Sequence, residues 1–177
     1  MSDALSRARS LIRVVPDYPL PGIRFQDLTP LLSDGSAFSE IIRALKASAD
    51  KCDVVAGIEA RGFIFAAALA FELGVGFVPL RKKGKLPFLT HDETYGLEYG
   101  EDVVQIHQDA VEPGARVLLI DDVLATGGTA CAGIRLIRRT GAHVVGFTTV
   151  LEISDLPGRE VISSSHPEVP ITSLFRV

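Results

Sequence analysis

Two cysteines are the whole thiol content of the 177-residue sequence, and Cys52 and Cys131 stand far apart with no CxxC spacing. A disulfide-stapled scaffold and a cysteine-built zinc site are thereby disfavoured, and two reduced thiols are expected. Long apolar runs are also scarce. The most conspicuous, Phe63 to Phe71, has nine residues, against the roughly 20 that a bilayer-spanning helix needs. No membrane partner is expected. Positive charge is not in excess either: 18 Lys and Arg stand against 22 Asp and Glu, for a net charge of -4. Such a chain has no field to gather a phosphate polymer, so nucleic acid is not an expected partner and any anion must be held locally. Internal repeats and low-complexity tracts are absent, and His91, His107, His143 and His166 show no metal-ligand spacing. Arg7, Arg9 and Arg13 are followed by no apolar signal core, and Asp3 interrupts a transit-peptide pattern. The expected compartment is therefore the cytoplasm.

With 47% hydrophobic and 23% charged residues, the composition is that of a folded globular protein, and the length suits one domain over 1–177. Strand-length apolar runs alternate with helical patterns, which predicts an α/β fold with a mostly parallel central sheet flanked by helices. The expected strands are Val54 to Ile58, Val75 to Leu80, Val117 to Ile120 and Val144 to Val150; the expected helices are Ala37 to Ala49, Phe63 to Leu73 and Thr129 to Arg139. In the last helix Ala130, Ile134 and Ile137 share one face, Arg135, Arg138 and Arg139 take the other, and Gly141 suits a left-handed cap. Two segments fall outside this pattern. Pro16 to Pro30 holds four of the ten prolines, which predicts an irregular accessory lobe. Arg81 to Gly100 mixes charges with Pro87 and glycines, which predicts a long mobile excursion of the kind that covers sites, with room for a short hairpin.

The densest chemistry lies in Val117 to Thr129, VLLIDDVLATGGT. A buried strand ends in Asp121 and Asp122, and a Thr- and Gly-rich loop then opens a helix. In open parallel sheets, ligands sit beyond the carboxyl ends of the strands. Gly127 and Gly128 let the backbone approach a phosphate, Thr126 and Thr129 add hydroxyls, and the helix start contributes N–H groups and partial positive charge. The two carboxylates would repel that phosphate, so they call for another partner, which a sugar diol satisfies. The run describes a ribose 5-phosphate cradle, with a divalent cation near the acids a further option. Taken singly, the acids are equally a solvated strand end and TGGT a plain helix start. No GxxxxGK[ST] occurs, and Gly74-Val-Gly76 lacks the third glycine of a dinucleotide fingerprint, which argues against a P-loop kinase or a Rossmann dehydrogenase.

This run resembles the phosphoribosyl diphosphate signature of type I phosphoribosyltransferases. PGIRFQDLTPLL at Pro21 to Leu32, GIEARGFIFA at Gly57 to Ala66, RKKGKLP at Arg81 to Pro87, LEYG at Leu97 to Gly100 and LPGRE at Leu156 to Glu160 extend the resemblance to the adenine-specific branch, in the family order from about residue 14 onward. The resemblance implies a type I phosphoribosyltransferase fold, with a small hood over about 14–35 and a lid over about 81–100. It also implies conversion of adenine and 5-phosphoribosyl 1-diphosphate to AMP and diphosphate with magnesium, in a homodimer. By position, Ala125, Thr126, Gly127, Gly128 and Thr129 would hold the 5-phosphate, and Asp121 and Asp122 the ribose hydroxyls, with magnesium met indirectly through substrate or water. Arg61, in a loop bent by a cis peptide at Glu59-Ala60, would grip diphosphate. Arg81 and Lys85 would join it, Arg81 across the dimer interface. Phe25 and Ile153 would sandwich the purine while backbone near Arg24 and Gln26 reads its edge; Glu98 and Tyr99 would lie on the lid, Glu98 beside the reacting nitrogen. Gln26 stands where the family often has a basic residue, and Gly35 replaces a frequent proline. Without the resemblance, Arg81, Lys82, Lys83 and Lys85 read equally as a solvated basic run, and Phe25 as core. The rivals are a transferase for another base, such as hypoxanthine, guanine or xanthine, and a non-catalytic regulator that binds the same ligands. The regulator is disfavoured because the stretch before Val14 is too short for a helix-turn-helix output module.

Overall fold

Proline placement shapes the N-terminal part of the chain, whose structure, a computed structural model, describes residues 3–49, 51–96 and 101–177. The chain divides into two compact units, Met1–Ala44 and Leu45–Val177. In the first, helix α1 (Asp3–Ser10) leads to strands β1 (Arg13–Pro16) and β2 (Arg24–Asp27), then to helices α2 (Thr29–Ser33) and α3 (Gly35–Ser48), the last of which runs on into the second unit. The irregular segment expected at Pro16 to Pro30 is thus partly a β-hairpin. β1 and β2 pair antiparallel from Arg13↔Asp27 to Pro16↔Arg24. The prolines permit this because they sit at the borders: Pro16 ends β1, Pro19 follows a cis bond and Pro30 lies in the first turn of α2, where a missing N–H costs nothing. Asp27 accepts the Thr29 N–H at 2.8 Å and Asp34 the Ala37 N–H at 2.9 Å, satisfying donors at the two helix starts.

The second unit is built on a sheet with strand order β5-β6-β4-β3-β7-β8-β9. Its elements are β3 (Val54–Ile58), α4 (Gly62–Leu73), β4 (Gly76–Lys82), β5 (Thr90–Gly96), β6 (Glu101–His107), β7 (Arg116–Leu124), α5 (Gly128–Arg139), β8 (His143–Glu152), α6 (Gly158–Ser165) and β9 (Ile171–Arg176). β4, β3, β7, β8 and β9 run parallel, while β6 is antiparallel to β4 and β5 to β6. The parallel strands are the β-branched and aliphatic runs, with Val55, Ala56, Leu119, Ile120, Val150 and Leu151 fully buried, as sheets covered on both faces require. The chain leaves β3 through α4 toward β4 and leaves β7 through α5 toward β8, in opposite directions along the sheet. Right-handed crossovers then place α4 and α5 on opposite faces and open a crevice at the carboxyl ends of β3 and β7, where ligands bind in such sheets.

Of the described residues 81–96 in the excursion expected over Arg81 to Gly100, nine are strand, and they include one arm of a hairpin, for which that expectation left room. β4 continues to Lys82, and Thr90–Gly96 pairs with Glu101–His107 in continuous register. Its side chains are polar, so periodicity of apolar residues does not reveal it, yet they are partnered: the Gln105 amide donates to Asp92 at 2.8 Å, and Arg135 donates to Glu93 at 2.9 Å. The arginine face of α5 is therefore not a bare solvated face, since Arg139 also pairs with Glu93 and Arg138 with Glu168. Gly141 takes the left-handed φ of 85° expected of it and donates its N–H to Arg138 O at 3.0 Å.

Candidate active site

β7 does not stop at its acids. Asp121 pairs with Thr149 and Leu124 with Glu152 of β8, four residues beyond Ile120, where pairing with β3 ends. The strand thus carries both acids past the end of its pairing with β3. Ala125 and Thr126 follow, then Gly127 at φ 85° and the first turn of α5. A cavity of about 60 Å³ lies here, lined by residues 123–127 with Asp121, Thr129, Ala130 and Phe147. That is ample for a small oxyanion, given the ~10–15 Å³ a water needs. The start of a twelve-residue helix supplies unpaired N–H groups and positive potential to whatever sits there.

Close backbone contacts hold the loop in shape. A Cβ on Gly127 would lie 2.6 Å from Gly158 O, and one on Gly158 would collide with Ala125 O and sit 2.8 Å from Leu124 Cδ1. The start of α6 is therefore pressed directly against the cradle. LPGRE gives no hint of this in sequence, because the partners are more than thirty residues apart. The Tyr95 hydroxyl, at the end of β5, donates to Asp102 at 3.2 Å and is hydrogen-bonded with Thr129, so the hairpin is tied to the opposite side of the loop.

The two acids differ. Asp121 Oδ1 accepts the Asp122 N–H at 2.8 Å, and burial, followed by the Asp122 charge, pushes its carboxyl well above the usual range. Asp122 is 7% exposed, and its Oδ2 lies 2.6 Å from Arg61 Nε, a charge contact without hydrogen-bond alignment. Arg61 arrives from the turn after β3, where the Glu59-Ala60 peptide is cis, as the resemblance implies. Gly62 allows this approach: a Cβ there would stand 2.8 Å from Asp121 Oδ1. The expected diphosphate ligand and sugar-binding acids therefore share one crevice.

Glu59 is a site residue that sequence reasoning missed. Its side chain is 9% exposed; it accepts the Lys82 N–H at 2.9 Å and contacts Lys85 Nζ at 2.6 Å and Arg81 Nε at 3.3 Å. Burial pushes its carboxyl up, but the bonds from Lys85, Lys82 and Arg81 outweigh this and bring it to about 2. The available signal was a lone acid ending an apolar strand, VVAGIE. Arg81 and Lys85, expected as diphosphate ligands, are thus brought to the end of β3 through Glu59 rather than standing as a solvated run.

Ile153 follows β8, with its N–H donated to Leu124 O at 3.0 Å at the cradle's strand end. Phe25 is on β2 in the first unit, edge-on to Tyr18 with ring centroids 5.2 Å apart, and the Gln26 amide donates to Arg24 O at 3.3 Å. Glu98 and Tyr99 lie outside the described residues. Among the described residues no group of three or more His, Cys, Asp or Glu gathers as a metal site, and no helix is long and apolar enough to cross a membrane.

The phosphoribosyl transferase domain matches residues 32–166. An adenine phosphoribosyltransferase of Parvibaculum lavamentivorans is 53% identical over 91% of this chain and 93% of its own length. The crystal structure of adenine phosphoribosyltransferase from Thermoanaerobacter pseudethanolicus superposes with a TM-score of 0.91 at 44% identity, covering 98% of this chain and 99% of its own. That of the Trypanosoma brucei enzyme, in complex with AMP, pyrophosphate and ribose-5-phosphate, superposes at 0.89 with 25% identity over 99% of this chain and 80% of its own. With the crevice, the glycine loop and its two acids in place, these likenesses show that the chain belongs to the phosphoribosyltransferase family, in its adenine phosphoribosyltransferase branch.

Proposed function

We propose that this chain transfers the phosphoribosyl group of 5-phosphoribosyl 1-diphosphate to adenine, releasing diphosphate and forming AMP. The bond from the anomeric carbon to diphosphate breaks with its electron pair leaving on the diphosphate, and a purine ring nitrogen bonds to that carbon. The observation that carries this reading is the cradle at 125–129 flanked by Asp121 and Asp122 at the switch point of the sheet.

In this reading Ala125, Thr126, Gly127, Gly128 and Thr129 take the 5-phosphate, and Asp121 and Asp122 accept from the ribose hydroxyls. Arg61, Arg81 and Lys85 receive the leaving diphosphate, placing cations where negative charge grows. Purine recognition falls to Phe25, to backbone at Arg24 and Gln26, and to Ile153. Glu98 takes or orients the purine proton and Tyr99 closes with it; general acid–base help of this kind typically contributes roughly 10² to 10⁴ in rate. Residues 81–100 serve as the lid that keeps water from the activated sugar and 14–35 as the hood, in a single catalytic domain.

The donor set suits magnesium only as a cation carried by substrate: two hard carboxylates stand at the cradle, and no cluster of three ligands gathers among the described residues. When bound, the ion offsets the charge of the departing diphosphate. A homodimer and a cytoplasmic location complete the proposal, supported by the resemblance of the RKKGKLP segment and by the lack, among the described residues, of a helix able to cross a membrane.

The base-selectivity assay tests it. With magnesium and phosphoribosyl diphosphate, adenine is expected to be converted far faster than hypoxanthine or guanine. Equal or reversed rates would remove the adenine assignment, and no turnover of any purine would favour the regulator.

A further inference from the structure

We propose that Glu59 is a positioning residue for the leaving group: its buried carboxylate holds Arg81 and Lys85 together at the end of β3, in the place from which diphosphate then takes them over. The proposal rests on the reading above, in which Arg81 and Lys85 receive diphosphate.

Three features carry it. First, the carboxylate is fixed to the sheet by a main-chain donor, the Lys82 N–H at 2.9 Å, so its position does not depend on a flexible partner. Second, the two cations it gathers are on one short segment and half-exposed, with side-chain exposures of 35% and 49%. Without a counter-charge they would repel each other and spread into solvent. The segment is curled to bring them in, with Arg81 Nη1 donating to Lys85 O at 3.1 Å and the Gly84 N–H to Gln105 at 2.8 Å. Third, the hold on Arg81 is deliberately weak in geometry: a single Nε contact at 3.3 Å rather than a two-pronged fork. Diphosphate, with several charged oxygens, can offer the fork that Glu59 does not. A carboxyl brought to about 2 stays ionised throughout neutral pH, so the hold is always present.

Glu59 therefore acts through Arg81 and Lys85, which sets it apart from a structural acid. Glu59→Gln keeps an acceptor for the Lys82 N–H and removes the charge. The expected result is a rise of about tenfold to a hundredfold in the diphosphate Kd, measured by calorimetry, and in the KM for phosphoribosyl diphosphate, the range for losing a charge-assisted hydrogen bond. The AMP Kd and the adenine KM are expected to stay unchanged. Glu59→Asp, which retains the charge one methylene further back, is expected to fall between. Unchanged or tighter diphosphate binding would overturn the proposal, as would equal losses for AMP and diphosphate with a lowered midpoint. Lys85→Ala separates the two readings. If it leaves diphosphate affinity unchanged, the diphosphate site itself is misassigned; if it weakens diphosphate while Glu59→Gln does not, only the role of Glu59 fails.

Discussion

Gly158→Ala adds one methyl group at a position remote from any reacting atom, and its expected cost is in phosphate binding. A Cβ there would sit 3.0 Å from the carbonyl carbon of Ala125, against 3.4 Å for an ordinary contact, and it also collides with the Ala125 oxygen. The obstacle is backbone, not the tip of a flexible side chain, so α6 and the cradle must separate by at least about 0.4 Å, the difference of those two distances. Gly127 moves with them, because its own Cα side is packed on Gly158. Overpacking of this kind costs about 1–3 kcal/mol. If the strain is relieved by shifting the loop amides, it falls on the bound phosphate, as a rise of about tenfold to a hundredfold in KM for phosphoribosyl diphosphate. Initial-rate kinetics at saturating adenine measure it, with the adenine KM as the internal control and calorimetric AMP binding as a second reading of the same phosphate. A variant with the parental KM for phosphoribosyl diphosphate and the parental AMP affinity would refute the claim that α6 shapes the cradle.

Asp121→Asn is expected to lower activity yet raise the thermal midpoint of the ligand-free protein at pH 8 by about 1 kcal/mol equivalent, because it removes a carboxyl that burial and Asp122 disfavour in its charged form. Since a raised carboxyl costs stability only where it is ionised, the gain should shrink as pH falls; a lower midpoint at pH 8 would contradict the reasoning. Asp122→Asn should chiefly raise the KM for phosphoribosyl diphosphate and Glu98→Ala chiefly lower kcat, so identical losses in both constants would count against their separate roles. Glu152 is held at about 2 by Arg159, with Ser173 and Arg176 adding to the effect against burial, while its ordinary value is 4.5. A lowered carboxyl stabilises the fold fully above its unfolded value, so the urea midpoint should be level above about pH 4.5 and decline as pH drops toward 2, less steeply in Glu152→Gln.

Local pattern reads parts of this molecule directly. Val54–Ile58 is a strand with the bounds that its unbroken aliphatic run suggests, and the helix after TGGT begins within a residue of expectation. β7 and β8 run beyond their expected bounds, because Asp121 and Asp122 look like a strand end in sequence while main-chain pairing between the two strands carries the backbone on. The hairpin β5–β6 falls where the sequence leaves room for a short one, but its bounds are not legible there, for a related reason. Edge strands need not bury alternate apolar residues, and here side chains from Gln105, Arg135 and Arg139 satisfy the polar ones instead.

What the sequence determined by itself is the set of parts: aliphatic runs that must be covered strands, and a strand-acid-acid-glycine-helix order whose chemistry is contained in adjacent residues. Tertiary structure decided which parts meet. Glu59 gathers cations from 22 and 26 residues away, Gly158 braces the cradle, and the Asp121 carboxyl is pushed up by burial and by its neighbour's charge while Asp122 meets Arg61. Each of these depends on distances that chain neighbours do not set. Coulomb and contact energies act through space, and only the order of the strands in the sheet brings those residues within a few ångströms.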